Sequence, residues 1–202
     1  MKPFDIHVRG SGIVGSVAAL ALSRQGLTVA MDTPGTLRHD DVRAYALNAA
    51  SVALLESLKV WPALPADARS AVYDMRVEGD AGQASVLRFS AWQQQQRELA
   101  WIVDAAALET ELAAALRYAP HVLHTDEPVQ ATLQVVAEGK TSATREQFGV
   151  AFETHDYGQR AIAARLLGSE PHQGLARQWF RAPDVLALLP TERPQAGHGL
   201  AL

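Results

Sequence analysis

Phe4-Asp5-Ile6-His7-Val8-Arg9-Gly10-Ser11-Gly12-Ile13-Val14-Gly15 opens with an apolar, strand-like run, passes through three glycines spaced GxGxxG, and enters a small, apolar stretch that continues to Arg24. Phe4 to Val8 predicts a strand, and Ile13 to Arg24 predicts a helix ended by Gly26. Leu27 to Asp32 predicts a second strand. A strand, helix and strand in that order form a βαβ unit, which implies a parallel sheet and a right-handed crossover. The glycines then have separate duties: Gly10 permits the tight turn, Gly12 lets backbone approach a pyrophosphate, and Gly15 lets helix and strand pack closely. Together with Ile13 and Val14 they form a candidate binding loop at a helix N-terminus, where unpaired N–H groups and the helix dipole favour negative charge. Asp32, ending the second strand, is placed to accept hydrogen bonds from ribose hydroxyls and to repel a 2′-phosphate. The plainer alternative is a glycine turn beside a solvated aspartate.

Composition bounds the rest. A chain of 202 residues lies between one large domain and two small ones and can bury about 70% of its unfolded surface. With 48% hydrophobic and 20% charged residues it reads as an ordinary globular protein. A net charge of −4 with mixed signs gives no basic footprint for DNA or RNA, so nucleic acid is not an expected partner. The absence of cysteine removes disulfides, thiolate catalysis and zinc–cysteine sites, and permits the cytoplasmic localisation expected here. The apolar run Ile13 to Leu22 reads as the helix rather than a signal-peptide core, because Asp5, a strand and the glycines precede it. It is too short to span a bilayer.

Further along, Thr33 to Asp41 predicts a loop, and Asn48 predicts a helix cap, the helix running to about Leu58. Pro62 to Ser70 predicts another loop. Val72 to Glu78 and Ala84 to Phe89 predict a hairpin around Gly79-Asp80-Ala81-Gly82. Leu99 to Val103 predicts a strand, with Asp104 capping a helix to about Arg117. His121 to Thr125, Ala131 to Ala137, Gln159 to Leu167, Leu175 to Phe180 and Val185 to Leu189 predict further strands.

Several chemistries lack a starting residue. None of Tyr45, Tyr73, Tyr118 or Tyr157 has lysine four positions on, so the Tyr-x-x-x-Lys pair of short-chain dehydrogenases is missing. There is no GxSxG elbow, HExxH pair or P-loop. His121 and His124 point to opposite faces of a strand, and no metal site is expected.

Asp41-Val42-Arg43-Ala44-Tyr45-Ala46-Leu47 resembles the D-x-R-A-x-A-L stretch of flavoprotein hydroxylases with the p-hydroxybenzoate hydroxylase fold, especially the ubiquinone-biosynthesis branch. Ala137-Glu138-Gly139-Lys140-Thr141-Ser142-Ala143-Thr144-Arg145 is similar to that family's A-D-G-x-x-S-x-x-R motif. Asp156-Tyr157-Gly158-Gln159-Arg160-Ala161-Ile162 resembles its D-Y-G-Q-x-A-I strand, and Leu186-Ala187-Leu188-Leu189-Pro190 its L-A-L-L-P strand.

The resemblance implies an α/β protein: a Rossmann-like FAD/NAD(P)-binding βαβ domain (residues 1–70 and 99–150) interleaved with a mostly antiparallel, substrate-type β domain (residues 71–98 and 151–202), truncated relative to the family. It implies FAD as cofactor, NAD(P)H as reductant and a small aromatic substrate of the polyprenyl-phenol kind. The flavin, reduced by a nicotinamide, would activate dioxygen and insert one oxygen atom into the ring, so no catalytic acid or base is named. By resemblance Arg43 and Glu138 approach the cofactor; read from residues alone, Arg43 pairs with Asp40 or Asp41, and Tyr157, Trp179 and Phe180 are core aromatics. Peripheral membrane association, a homodimer and a complex with other biosynthetic proteins stay open.

The departures are specific. Glu138 stands where the family has aspartate, its extra methylene carrying the carboxylate about 1.5 Å further. Ala105 and Ala106 stand where relatives often carry an arginine, the link from Arg117 to Ala131 is too short for the family's β-meander, and the sequence stops at Leu202 before the family's second G-D motif. These departures frame the alternative of a non-catalytic pseudoenzyme or assembly partner with a degraded flavin site.

Overall fold

The computed structural model describes residues 3–33, 35, 41–80 and 86–202. The elements begin with β1 (Phe4–Arg9), α1 (Ile13–Arg24), β2 (Val29–Met31), β3 (Ala44–Leu47), α2 (Ala49–Ser57), β4 (Arg69–Val72), β5 (Asp74–Glu78), β6 (Val86–Ser90) and β7 (Ala100–Asp104). They continue with α3 (Ala105–Arg117), β8 (Val122–His124), β9 (Ala131–Val136), α4 (Ala143–Gln147), β10 (Arg165–Leu167), β11 (Leu175–Arg181), β12 (Asp184–Thr191) and β13 (Gly199–Ala201).

Two compact units share the chain. The first comprises Met1–Arg38, Ser57–Val60 and Leu108–Gln159 and holds a parallel sheet of order β8-β2-β1-β9. Val8, Val29, Ala30 and Met31 are fully buried there, the unbroken apolar run that strands covered on both faces require. Small residues let α1 approach this sheet closely, and Ala19 and Leu20 are buried. Gly26, at φ +84°, ends α1 in the left-handed region that glycine enters without penalty. Arg24 in the last helical turn donates to the carbonyl oxygens of Ser57 and Leu58.

The second unit comprises His39–Glu56, Trp61–Ala107 and Arg160–Leu202. It holds an antiparallel sheet of order β3-β7-β4 and a larger sheet of order β10-β13-β12-β11-β5-β6, antiparallel except between β5 and β11. Val72, Ile102 and Ala176 form its buried centre, with Ala44, Met75, Ala100 and Leu189 packed around them. Trp61 and Trp101 meet edge to face at 5.3 Å, and the Arg69 guanidinium lies 4.7 Å from the Trp61 ring centroid. The predicted caps are present: Asn48 Oδ1 accepts from Ser51 N and Asp104 Oδ1 from Ala107 N, both at 2.9 Å. These units run differently from the residue division read in the sequence, because β3 and β4 pair with β7 and carry residues 39–56, 61–70 and 99–107 into the β-rich unit.

The mixed α/β fold, a parallel sheet with interleaved and mostly antiparallel sheets, is therefore the one expected. Local corrections follow from tertiary pairing. Residues 151–164 form no strand, and regular pairing starts only at β10, against β13. Gly158, at φ +63°, donates its N–H to Asp156 Oδ1 in a turn, so the segment that resembles the family's D-Y-G-Q-x-A-I strand is not extended there. Tyr157 is 86% exposed and Phe180 44%, so neither is a core aromatic, and Trp179 is only partly buried. The Pro62–Ser70 loop contains two 3-10 turns, Trp61–Ala63 and Ala66–Ala68, and the start of β4. The β5–β6 hairpin pairs Asp74 with Ser90 through Glu78 with Val86. Residues 81–85 of its turn and 34 and 36–40 of the earlier loop, Asp40 included, lie outside the described residues. Among the described residues, no helix is long and apolar enough to cross a membrane, and no group of His, Asp and Glu side chains could hold a metal ion.

Candidate functional site

Each glycine of the loop has a distinct geometry in the first unit. Gly10 adopts φ +100°, and a Cβ there would lie 2.5 Å from the Ala137 carbonyl oxygen, so the loop turns tightly against the end of β9. A Cβ on Gly15 would stand 1.9 Å from the Gly10 carbonyl oxygen and 3.4 Å from Val8 Cγ1, which fixes how closely α1 approaches β1. Gly12 differs: among the described residues, a Cβ there would meet nothing within 4 Å. Two glycines are therefore demanded by the protein's own packing, and the middle one is open at its Cβ position among the described residues.

That space faces an electrostatically prepared end. Ser16 N donating to Gly12 O at 2.9 Å is the first bond of α1, so the N–H groups of Ile13, Val14 and Gly15 precede the i→i−4 ladder. Gly12 supplies no side-chain cap, and the first turn carries no acidic residue to repel a phosphate. Val14 is 71% exposed on this turn.

Asp32 follows β2, and the parallel register Val8 to Met31 brings it level with the loop. Its Oδ2 accepts from Gly10 N at 2.9 Å and from Arg9 Nε at 3.3 Å, while its Oδ1 lies 3.3 Å from His7 Nε2. The Asp32 side chain keeps 30% exposure, leaving carboxylate lone pairs open to solvent. His7 and Arg9 escaped the sequence reading. Their signal was the alternation of Asp5, His7 and Arg9 along one side of the strand, against apolar Phe4, Ile6 and Val8 on the other.

Glu138 is engaged inside its own loop. It accepts from Ser142 Oγ, from Thr144 Oγ1 at 2.7 Å and from Thr144 N at 3.1 Å, and Arg9 Nη2 lies 3.7 Å away. The Ser142 and Thr144 hydroxyls, helped by the Thr144 N–H and the Arg9 charge, hold its carboxyl below the ordinary glutamate range despite opposing burial. Ser142 in turn caps α4 by accepting from Arg145 N at 3.1 Å. The longer side chain thus uses its reach to brace the turn. Arg43 belongs to the second unit, where Nε donates to Asp41 Oδ1 at 2.9 Å and Nη1 to Tyr45 Oη at 3.0 Å. The structure brings the glycine loop, Asp32 and Glu138 together in one unit and holds Arg43 in the other.

These features fit the adenosine-diphosphate half of a dinucleotide: a Cβ position at Gly12 that is open among the described residues, a helix start without a side-chain cap and a partly exposed carboxylate at the end of β2.

No protein-family model matches the chain. It is 28% identical over 215 residues to ubiquinone hydroxylase UbiL of Rhodospirillum rubrum, covering 94% of this chain and 49% of that protein. It is 29% identical over 188 residues to 3-demethoxyubiquinol 3-hydroxylase of Escherichia coli, covering 80% of this chain and 48% of that protein. The chain spans about half the length of the curated relatives it matches. Among solved structures, PqsL of Pseudomonas aeruginosa, described as a probable FAD-dependent monooxygenase, superposes with TM-score 0.74 at 17% identity, over 98% of this chain and 58% of that one. p-Nitrophenol 4-monooxygenase PnpA of Pseudomonas putida does so with TM-score 0.74 at 16% identity, over 98% of this chain and 57% of that one. Over nearly its whole length, the chain resembles about half of a ubiquinone hydroxylase and carries the corresponding part of the FAD-dependent monooxygenase fold.

Proposed function

We propose that this chain binds the adenosine-diphosphate moiety of FAD at Gly10–Gly15 and Asp32 and serves an aromatic-ring monooxygenase of the ubiquinone-hydroxylase kind. The observation that carries the reading is the division among the three glycines: the Cβ positions at Gly10 and Gly15 are filled by the protein's own backbone, and the one at Gly12 is open among the described residues. Its role as the N-cap of α1 favours glycine over alanine only modestly, whereas a pyrophosphate lying against the helix start requires the missing side chain.

In this reading the pyrophosphate lies against the N–H groups at the start of α1, and Asp32 accepts the ribose hydroxyls. Glu138 shapes the loop beside Gly10 from within. Arg43, by the family resemblance, serves the cofactor. The β-rich unit supplies the substrate-side surface, and a nicotinamide nucleotide is the reductant. When bound, reduced flavin supplies the activation of dioxygen and the transfer of one oxygen atom to an electron-rich ring, while this chain orients the cofactor and limits water around it. Working in the cytoplasm, with contact to a membrane surface or to other biosynthetic proteins, is compatible with this role.

The test is calorimetric titration of the purified chain with ADP and with FAD, alongside Gly12→Val. Binding of ADP that the valine abolishes supports the reading. Equal affinity in the variant moves the nucleotide elsewhere, and no binding of either ligand to the unaltered chain refutes it.

A further inference from the structure

We propose that Arg9 is the positioning residue that holds Asp32 in place for the ribose, by bridging it to Glu138. This rests on the nucleotide reading above. Two carboxylates converge on the glycine loop from different parts of the chain, Asp32 from the end of β2 and Glu138 from the turn after β9. Left alone they would repel one another across the mouth of the site.

Arg9 is the last residue of β1 and immediately precedes Gly10. Its Nε lies 3.3 Å from both Asp32 oxygens, and its Nη2 lies 3.7 Å from Glu138 Oε1. A planar, permanently charged guanidinium can address two acids at once in a fixed geometry, which a flexible ammonium does less well. Glu138 is itself held by Ser142 and Thr144 at the start of α4. An unbroken run of contacts therefore leads from α4 through Glu138, Arg9 and Asp32 to the Gly10 N–H.

The consequence concerns orientation. Gly10 N and Arg9 Nε hold the Asp32 carboxylate, with His7 Nε2 3.3 Å from its Oδ1, and the side chain keeps 30% exposure for a ligand. Arg9 is 36% exposed, so it stands at the edge of the site rather than beneath it. Removing its charge should leave the pyrophosphate contacts at Gly12 untouched and loosen only the ribose contact.

The experiment compares ADP with 2′,3′-dideoxy-ADP, which lacks the hydroxyls Asp32 would accept, on the unaltered chain and on Arg9→Met, Arg9→Lys and Asp32→Asn. The unaltered chain should prefer ADP by about tenfold or more, as expected for hydrogen bonds to a charged acceptor. Arg9→Met should lose most of that preference while binding dideoxy-ADP within about twofold of the original, and Arg9→Lys should restore part of it. In the Asp32→Asn background, Arg9→Met should change neither ligand further. Equal weakening of both ligands by Arg9→Met would make Arg9 a general phosphate or folding residue and overturn the proposal; a preference that survives Arg9→Met would do the same while leaving the nucleotide reading intact. If Arg9→Met does not fold, Arg9→Lys decides, since full loss of binding to both ligands in that variant is also contrary. Failure of the unaltered chain to bind either nucleotide sinks both readings together.

Discussion

Alanine placed at Gly12 and at Gly15 should separate what the loop does for the ligand from what it does for the fold. At Gly15 the new Cβ would begin 1.9 Å from the Gly10 carbonyl oxygen and 3.0 Å from its carbon, both backbone atoms that no rotamer change can move. Helix α1 must then retreat from β1 by more than an ångström, in a region where Val8 is fully buried. Overpacking of this kind costs about 3 kcal/mol. For a chain of this size that lowers the melting temperature by roughly 6–12 °C. At Gly12 the Cβ meets nothing within 4 Å among the described residues, and the remaining penalty is the poorer helix cap that alanine makes, about 1 kcal/mol or less. Differential scanning calorimetry without ligand reads the folding term, and ADP titration reads the binding term. Gly15→Ala should melt early, whereas Gly12→Ala should melt within a few degrees of the parent, roughly 4 °C at most, and bind more weakly. Equal melting temperatures for the two variants would refute the packing argument, and unimpaired ADP binding by a folded Gly12→Ala would refute the ligand argument.

Asp32→Ala should weaken ADP by about 1.5–3 kcal/mol, roughly 10- to 150-fold, measurable by calorimetry; a loss of a few tenths would mark a merely solvated aspartate. Because the Glu138 carboxyl is held below its ordinary value of about 4.5, its contribution to stability is fully present above that value and is lost as pH falls through the lower, folded-state value. Denaturant midpoints measured from pH 6 down to pH 3 should therefore fall less steeply for Glu138→Gln than for the parent, and parallel curves would contradict this. The exposed pair Arg193–Asp67, 2.9 Å apart, lowers the Asp67 carboxyl through the same kind of bond. Solvent screens it, so Arg193→Ala should shift stability by less than about 1 kcal/mol in urea unfolding.

The beginning of the chain was legible because its signals are local: β1, the three glycines, α1 and Gly26 follow one another in sequence, and their spacing alone marks a strand, a turn and a helix. The caps Asn48 and Asp104 were legible for the same reason. Elements made by remote partners were not. Strand β3 hides in a segment whose motif invites a functional reading, and only its pairing with β7 makes it a strand. Strand β13 is three residues long and exists through β10 and β12. Conversely, the stretch before β10 has strand-like residues, yet the ladder with β13 begins only at Arg165. In the site, the roles of the glycines and the position of Asp32 follow from spacing, but Arg9 and His7 became visible only when the register of β1 and β2 set them beside Asp32. The engagement of Glu138 depended on where α4 begins.

The tight fit of Gly10 against the Ala137 carbonyl bears on the order of assembly. The βαβ unit can form from neighbouring residues, but its loop is seated only when β9, encoded far along the chain, has docked beside β1. Closing so long a loop is a late and entropically costly event, so the glycine loop should acquire its native shape after its own strand and helix have formed. A fluorescent ADP analogue added during refolding would then report maturation of the whole parallel sheet, its signal rising with the slowest phase; a signal appearing in the first phase would show that the loop is shaped by β1 and α1 alone.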